Sequence, residues 1–276
     1  MNYPGLEDLI KRALQEDIGY TDITTGYLIP YEQQTTGRFY AKSSGIIAGI
    51  NVCQKVFSCL DAEIEFEKLK NDGEEIAVGD TIAIVSGRTA NLLTGERVAL
   101  NFLQRLSGIA TKTREMVEVI KYHKAELVDT RKTTPGLRVL EKYAVSTGGA
   151  RNHRFGLYDG VMIKDNHIKA VGGIQKAVSQ VRSKIPHTLK IEVEVKSIEQ
   201  LQEALTARAD IIMLDNMDLE MLKQAVEIAD GKAILEASGG INESNIIEVA
   251  KTGVDFISVG ALTHSVKSLD ISFDII

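Results

Sequence analysis

The rhythm of hydrophobic and polar positions changes near residue 124. Before it, amphipathic helical stretches alternate with strand-like stretches and turns, and the longest helical stretch, residues 89–123, is predicted to be two helices broken near Ser107–Gly108. After it, short apolar runs alternate with helical patterns. These runs are "ELVDT", "GVMIKD", "KIEVEV", "DIIMLDN", "AILEASGG" and "DFISVGA". The pattern therefore predicts an N-terminal α+β domain followed by a domain of repeated βα units.

The repeated βα units predict a parallel sheet, because parallel neighbours need a crossover helix. A closed or nearly closed α/β barrel and an open doubly wound sheet both fit. No GxGxxG follows the first strand, which weakens the dinucleotide-binding interpretation. A functional barrel carries its chemistry at the carboxyl ends of its strands. In chain order, those ends carry Arg131 and Lys132, Lys164, Glu194, Asp215, Ser238 to Gly240, and Gly260. This agreement favours a functional barrel mouth.

Carboxylates are placed regularly on two neighbouring strands. The apolar residues of "KIEVEV" face one way, and Glu192 and Glu194 face the other. In a strand buried on both faces, these carboxylates point into the barrel and need cations or a metal; an edge strand with a wet face is the alternative. Glu194 and Asp215, at consecutive strand ends, form a candidate Mg²⁺ site, since Mg²⁺ favours one or two carboxylates plus phosphate oxygens. Asp215 alone also fits an exposed loop acid.

The charge distribution indicates an anion site. The net charge of -6 argues against a general affinity for nucleic acid. Between Arg131 and Arg154, however, six Lys and Arg residues face one acid, Glu141. This excess suggests a site for a small anion rather than a basic coat. Lys142, and with it Arg138, are expected instead to be solvated helix cations.

Two glycine-rich loops extend this interpretation. "EASGGI" precedes a helix predicted to begin near Asn242 or Ser244, and "SVGALTHS" follows the next strand. Such turns present backbone N–H groups to a phosphate, which in barrels often binds at the last two loops. His264 either contacts the phosphate or caps its loop. One pole of the mouth is thus cationic and the other holds a phosphate nest and two carboxylates, which fits a polycarboxylate and a sugar phosphate as substrates.

The remaining composition is that of an ordinary globular protein. Hydrophobic residues make up 44% and charged residues 25% of the 276 residues. Cys53 and Cys59 lack CxxC spacing and are predicted to be plain thiols in a reducing cytoplasm. No apolar run approaches membrane-spanning length, so no membrane partner is expected.

Ordered motifs along essentially the whole chain resemble one family. They are "QEDIGYTDITT", "SSGIIAG", "GERVALNFLQRLSGIAT", "DTRKTTPGLR", "KYAV", "NHRFGLYDGVMIKDNHI", "EVEV", "LDN", "ASGGI" and "SVGALTHS". Together they resemble the carboxylating nicotinate-nucleotide pyrophosphorylases, also called quinolinate phosphoribosyltransferases. One departure is Ala150, where the family usually has a third glycine before "NHR". Its methyl group could alter the loop slightly but removes no charge.

The resemblance implies a fold and a reaction. The expected fold is an N-terminal α+β open sandwich, residues 1–112, joined by the C-terminal tail 266–276, and an incomplete parallel α/β barrel, residues 113–265. The expected reaction joins quinolinate to phosphoribosyl pyrophosphate with Mg²⁺, giving nicotinate mononucleotide, pyrophosphate and CO₂ in de novo NAD biosynthesis. The resemblance also implies a homodimer or a higher oligomer built from dimers.

The resemblance also implies residue roles. The two quinolinate carboxylates would be held by Arg131, His153, Arg154 and Lys164. Lys132 would lie beside them near the ribose and pyrophosphate, and Arg97 would be lent across a dimer interface. Glu194 and Asp215 would serve the ribose hydroxyls and magnesium pyrophosphate, and with Lys132 they are the expected catalytic groups. The 5-phosphate loops would be formed by Ser238, Gly239, Gly240 and Gly260, with His264 nearby.

Three alternatives stay open at this point. A molybdenum-transport-associated relative keeps the fold but usually changes "DTRKT" and "NHR", which are intact here. A Schiff-base aldolase could use Lys164 as nucleophile, although that chemistry needs an apolar pocket rather than a ring of cations. A non-catalytic phosphate-binding module would have no reason to retain both carboxylates and all the cations.

Overall fold

The computed structural model describes residues 3–276, which form two compact units. The first unit contains the described residues up to Lys112 together with Pro135–Gly148 and Val266–Ile276. The second contains Thr113–Thr134 and Gly149–Ser265. None of the helices in this described chain combines the length and apolar character that a bilayer crossing needs.

The helices and strands are numbered along the chain. The helices are α1 Leu6–Ile18, α2 Ile23–Leu28, α3 Ile50–Leu60, α4 Thr89–Ile120, α5 Arg138–Gly148, α6 Asp165–Val171, α7 Ile174–Arg182, α8 Ile198–Thr206, α9 Leu219–Ala229, α10 Ile246–Ala250 and α11 Ala261–His264. The strands are β1 Gln34–Ala41, β2 Gly45–Ile46, β3 Glu65–Lys68, β4 Glu75–Ile76, β5 Thr81–Arg88, β6 Glu126–Val128, β7 Val161–Ile163, β8 Ile191–Val195, β9 Ile211–Asp215, β10 Ile234–Ser238, β11 Phe256–Ser258 and β12 Ile271–Ile275.

The first unit is built on an antiparallel sheet with the strand order β12-β1-β5-β3. The C-terminal strand β12 pairs with β1, which places Phe273 directly opposite Phe39 with ring centroids 4.8 Å apart. Phe57 of α3 packs edge-on against Phe39. This aromatic cluster is the centre of the unit's core, because large rings remove the most apolar surface from water.

Helix α4 corrects one prediction. It is a single helix of 32 residues, so the expected break near Ser107–Gly108 is wrong. The Ser107 hydroxyl accepts a hydrogen bond from the Ala48 N–H at 3.1 Å. A Cβ on Gly108 would collide with the backbone carbonyl of Lys267. Because Ser107 and Gly108 are small, the backbone of Ala48 and Lys267 can pack directly against an unbroken α4.

Helix α5 corrects a second prediction. Lys142, expected to be a solvated cation, is fully buried within the first unit, while Arg138 is half-buried. Glu141 is also fully buried, and its carboxylate lies 2.8 Å from the Arg105 guanidinium. The Tyr143 hydroxyl donates to Asp72 at 2.6 Å. These contacts hold α5 in the first unit, and such long-range partners leave no periodic signal in the local sequence.

The second unit is an incomplete parallel barrel, as predicted. Its six strands have the order β6-β11-β10-β9-β8-β7, so the series β7 to β11 runs in chain order and β6 joins it beside β11. A doubly wound sheet would reverse direction partway. Strands β6 and β7 remain the two edges, with one parallel bridge from Val128 to Arg151 extending the β6 side. Because all six strands are parallel, their carboxyl ends meet at one face.

Candidate active site

A cavity of about 350 Å³ opens at the carboxyl ends of the barrel strands, and we call it the mouth cavity. It brings together most of the predicted site residues, namely Arg131, Lys132, His153, Arg154, Lys164, Glu194, Asp215 and Ser238. The cavity is completed by Thr130, Met162, Met213, Glu236 and Ser258. Residues separated by more than 100 positions in the chain thus share one small space, because each lies in a barrel strand or in a loop attached to one.

Strand β8 carries its carboxylates into the barrel, as its alternation predicts. It lies between β7 and β9, and all five of its residues are buried. Glu192 is 3% exposed and Glu194 is 9% exposed. The alternative of an edge strand with a wet face is therefore excluded. Two buried carboxylates on one strand need partners, since burying an unpaired charge is costly.

The upper carboxylates are paired with lysines. The Lys164 ammonium lies 2.9 Å from a Glu194 oxygen, whereas the sequence pattern predicts these residues at opposite poles. Asp215 accepts a hydrogen bond from the Asn216 side chain at 2.9 Å, and the Lys196 ammonium lies 3.7 Å away. Lys196 was missed, although its position directly after β8 was visible in the sequence. The two poles of the mouth are thus adjacent rather than separate.

The loop carrying "NHR" is fixed by Asp129, which ends the strand-like run before the tandem cations. Asp129 is fully buried. Its carboxylate accepts the His153 backbone N–H at 2.8 Å and the Asn152 side-chain amide at 2.7 Å. Asp129 and Asn152 were not predicted as site residues. The motif "DTRK" offered a signal, because an acid ending a buried strand needs donors nearby.

Replacing Asp129 with alanine is expected to destabilise the fold by about 1–3 kcal/mol, because the His153 N–H and the Asn152 amide would lose their acceptor. Thermal unfolding followed by circular dichroism measures this. The exposed Asp8 on α1 supplies a surface control, Asp8→Ala, expected to shift the midpoint little. Equal midpoints for the two variants would show that Asp129 does not hold the loop.

The two guanidinium groups of the mouth lie close enough to repel. The Arg154 side chain donates to the Gly160 carbonyl at 3.0 Å. Burial lowers the pKa of the Arg154 guanidinium, and the neighbouring Arg131 charge lowers it further. Converging cations of this kind are stabilised by an anion placed between them. The site is therefore suited to a carboxylate-bearing ligand.

His153 has a defined tautomer. The Arg154 backbone N–H donates to His153 Nδ1 at 2.7 Å, so Nδ1 carries the lone pair and Nε2 the hydrogen. Nε2 lies 3.0 Å from a Glu192 oxygen and 3.6 Å from a Glu236 oxygen. Glu236 was missed, although "AILEAS" alternates just as "KIEVEV" does.

The first of the two glycine-rich loops follows β10. Ser238 ends that strand and lines the mouth cavity. Gly239 and Gly240 have φ angles of 97° and 64°, which favour glycine, and a Cβ on Gly239 would collide with Asn216. The following helix begins at Ile246, later than the predicted Asn242 or Ser244. The delay arises because Asn242 accepts the Ser244 N–H at 2.9 Å, which forms a turn instead.

The second glycine-rich loop follows β11. A Cβ on Gly260 would lie 3.1 Å from the Lys132 side chain and 3.0 Å from His264 Nε2, so this glycine admits both. The Thr263 hydroxyl donates to the Lys132 carbonyl at 2.8 Å. His264 Nδ1 lies 2.7 Å from the Ser265 hydroxyl, which ties the ring to its own loop. Lys132 and this loop therefore form one structural group.

Arg97 lies on α4 in the first unit and is not among the residues that line the mouth cavity. Its side chain is 57% exposed, and its guanidinium is 3.8 Å from Glu96. This is the geometry of a surface cation within its own chain.

Comparison with known families gives matches to both parts of the chain. The family model "Quinolinate phosphoribosyl transferase, N-terminal domain" matches residues 22–107. The model "Quinolinate phosphoribosyl transferase, C-terminal domain" matches residues 109–274.

Individual proteins match over nearly their whole length. "Probable nicotinate-nucleotide pyrophosphorylase [carboxylating]" of Bacillus subtilis (strain 168) is 48% identical, covering 100% of this chain and 95% of the relative. "Quinolinate phosphoribosyltransferase [decarboxylating] 2b, mitochondrial" of Nicotiana tabacum is 43% identical, covering 98% and 82%. The crystal structure of NadC from Streptococcus pyogenes superposes with a TM-score of 0.95 at 43% identity, covering 100% and 99%.

Proposed function

The chain belongs to the quinolinate phosphoribosyltransferase family, and from that premise we propose how its mouth cavity carries out the family's reaction. The enzyme transfers phosphoribosyl from phosphoribosyl pyrophosphate to quinolinate, with decarboxylation, giving nicotinate mononucleotide, pyrophosphate and CO₂ for de novo NAD biosynthesis. The observation that supports our division of roles is the single cavity in which four cations and three carboxyl groups meet.

Quinolinate is a dianion, and we assign its two carboxylates to Arg131, Arg154 and Lys164. Two arginines suit planar carboxylates because their N–H groups form a fork. His153 contributes position rather than charge, since its ring hydrogen is directed at Glu192. When the substrate carboxylate binds, the Lys164 ammonium either leaves Glu194 or contacts both carboxylates.

Phosphoribosyl pyrophosphate occupies the other side of the cavity. As pyrophosphate leaves, positive charge develops on the ribose ring, and Glu194 is placed to stabilise it. Lys132 stabilises the negative charge of the leaving group, and Ser238, Gly239, Gly240 and Gly260 hold the 5-phosphate through their loops, with His264 beside them. The pyridine nitrogen then attacks the ribose carbon, and no protein nucleophile is required.

We propose Mg²⁺ as the cofactor, with Glu194 and Asp215 as its protein ligands. Both line the mouth cavity at neighbouring strand ends and offer only oxygen donors, which fits the preference of Mg²⁺ for few carboxylates plus phosphate. When bound with pyrophosphate, the ion supplies compact positive charge to the leaving group.

Glu194→Gln and Asp215→Asn are expected to lower kcat by about 10²-fold, the cost of losing an electrostatic contact made at the transition state. Quinolinate binding should be unchanged or slightly tighter, because removing the Glu194 charge releases Lys164. Calorimetry with quinolinate alone and steady-state kinetics separate the two effects. The exposed Glu220 supplies the control Glu220→Gln. A folded Glu194→Gln or Asp215→Asn variant that no longer binds quinolinate would contradict this assignment.

A homodimer, or a larger oligomer built from dimers, is supported by an apolar surface near the N-terminus. Tyr20, Ile23, Tyr27, Leu28 and Tyr31 are all more than 60% exposed although they lie within 12 residues. Exposed patches of this kind mark interaction surfaces. In such a dimer, Arg97 would complete the partner's mouth cavity.

A reducing compartment, the cytoplasm, is proposed from the two free thiols, the buried Cys53 and the half-buried Cys59. Fractionation of cells expressing the chain tests this location.

The aldolase alternative is disfavoured by the surroundings of Lys164. A Schiff-base lysine needs an environment that favours its neutral form. Lys164 is instead salt-bridged to Glu194 at 2.9 Å and about half exposed. The assay that tests the proposed function is incubation with quinolinate, phosphoribosyl pyrophosphate and Mg²⁺, followed by mass spectrometry for nicotinate mononucleotide.

A further inference from the structure

Three titratable side chains form a cluster at the wall of the mouth cavity, which two of them, His153 and Glu236, also line. The ligand-type atoms of His153, Glu192 and Glu236 lie within 4.8 Å of one another. Glu192 is 3% and Glu236 4% exposed. The Oε1 atom of each glutamate is buried and has no hydrogen-bond partner among the described residues. We call these three residues the acid cluster.

The tautomer of His153 argues against a metal at the acid cluster. A metal would need the lone pair of Nε2, whereas the Arg154 N–H holds the lone pair on Nδ1 and leaves the hydrogen on Nε2. The cluster therefore contains a neutral ring and two carboxyl groups. Two ionised carboxylates this close and this buried repel strongly, so one of them retains its proton.

Glu236 is the carboxyl group that retains the proton. Glu192 accepts from His153 Nε2 at 3.0 Å and lies near enough to Arg154 to interact with its charge. The hydrogen bond and the nearby positive charge distinguish Glu192 from Glu236. Glu236 is 3.6 Å from the same nitrogen, beyond hydrogen-bonding distance.

The groups facing Glu236 agree with this assignment. Burial raises the pKa of Glu236 to about 7, and the carboxylates of Glu192 on β8 and Asp129 after β6 also raise it. The Ser258 hydroxyl on β11 acts in the opposite direction, and a positive charge on His153 would do so too, but the Arg154 N–H on Nδ1 keeps the ring neutral. On β9, the register neighbour is the uncharged Met213.

Glu236 lies between two cavities. One is the mouth cavity. The other, of about 630 Å³, is also lined by His153 and Arg154 but reaches the opposite end of the barrel. Its wall includes the first residues of four strands, Val161, Ile211, Ile234 and Phe256. A proton taken from Glu236 on the mouth side can therefore be replaced from the other side while product still fills the mouth.

The proposed function requires one proton whose source is not yet assigned. When the bond from C2 of the pyridinium to its carboxylate breaks, CO₂ leaves and the electron pair stays on C2. Nicotinate mononucleotide carries hydrogen at C2, so a donor must supply it. We propose that Glu236 is this donor: its O–H bond breaks, the electrons stay on oxygen, and a C2–H bond forms. The inference rests on the proposed function of the mouth cavity.

A neutral acid also suits the substrate. Quinolinate brings two negative charges, and an ionised Glu236 would repel them, whereas a protonated carboxyl can donate a hydrogen bond to the 2-carboxylate. The lysines of the mouth are poorer donors. Lys164 is engaged with Glu194, and giving up its proton would remove charge from a site that must hold anions.

Glu236→Gln tests the inference, because glutamine keeps the shape and the hydrogen-bonding capacity but cannot supply the proton. Pyrophosphate release in the first turnover should stay within about threefold of wild type, and so should KM for quinolinate. Formation of nicotinate mononucleotide should fall by about 10²-fold, the usual contribution of a general acid. Glu236→Asp should recover part of that loss, and Glu220→Gln should behave as wild type.

The pH dependence supplies a second readout. In wild type, the product-forming step should slow as pH rises through about 7, where Glu236 loses its proton, and Glu236→Gln should lack this limb. The inference would be overturned by unchanged product formation in folded Glu236→Gln, or by equal loss of pyrophosphate release and product formation. Either result would leave the proposed function standing. Absence of product from wild type would overturn both the proposed function and the inference.

Discussion

Nicotinate offered in place of quinolinate is expected to react with a kcat/KM lower by roughly 30- to 4000-fold. Nicotinate lacks one carboxylate, so part of the cationic surface formed by Arg131, Arg154 and Lys164 stays unpaired. Truncating one partner of a buried charge pair costs about 2–5 kcal/mol, and about 1.4 kcal/mol corresponds to a factor of ten. Competition kinetics with both acids at fixed phosphoribosyl pyrophosphate give the ratio directly.

A variant supplies the internal control for this discrimination. Arg154→Ala removes one of the converging cations. The kcat/KM for quinolinate should therefore fall more than the kcat/KM for nicotinate, and the ratio of the two should become smaller. Comparable turnover of the two acids by wild type would contradict the assignment of the mouth cavity to a dianion.

Arg97→Ala is expected to be folded but about 10³-fold less active, the upper range for losing a cation that acts at the transition state. Arg97 is exposed in its own chain and is not among the residues lining that chain's mouth cavity. Its proposed role is in the partner subunit, so substitution should leave the melting temperature nearly unchanged. Steady-state assays and thermal unfolding measure the two effects, and Arg12→Ala on α1 is the matched exposed-arginine control.

Complementation tests the shared site. Arg97→Ala and Lys132→Ala subunits, each inactive alone, are mixed and allowed to exchange. In each heterodimer, one of the two sites has both wild-type residues. Random equal mixing makes half the dimers mixed, so about a quarter of wild-type activity should return. No recovery after exchange, confirmed by native mass spectrometry, would place the action of Arg97 within its own chain or nowhere.

Much of the barrel mouth could be predicted because strand order and strand period are local signals. The pattern of each βα unit predicts where one strand ends, and the parallel topology then brings those ends together. The alternation of "KIEVEV" correctly predicted that Glu194 points into the barrel. The glycine-rich turn in "EASGGI" was also predictable from the local sequence, because the φ angles at its two glycines favour glycine at those positions.

The missed features depend on partners distant in the chain. The Ser107–Gly108 pair looks like a helix break until the backbone packed against it is known. Lys142 looks like a solvated cation because nothing in its local sequence reveals its burial. Glu236 shows the same alternation as β8, but its importance depends on His153 and Glu192, which come from other strands and loops.

The coupling of phosphoribosyl transfer to decarboxylation at one cavity is tested most directly with quinolinate labelled with ¹³C in its 2-carboxyl group. The purified protein would be incubated with this substrate, phosphoribosyl pyrophosphate and Mg²⁺, while labelled CO₂, pyrophosphate and nicotinate mononucleotide are measured together. The account predicts that all three appear in equal amounts and that the product contains no label. Release of pyrophosphate without labelled CO₂, or a product that retains the label, would contradict it.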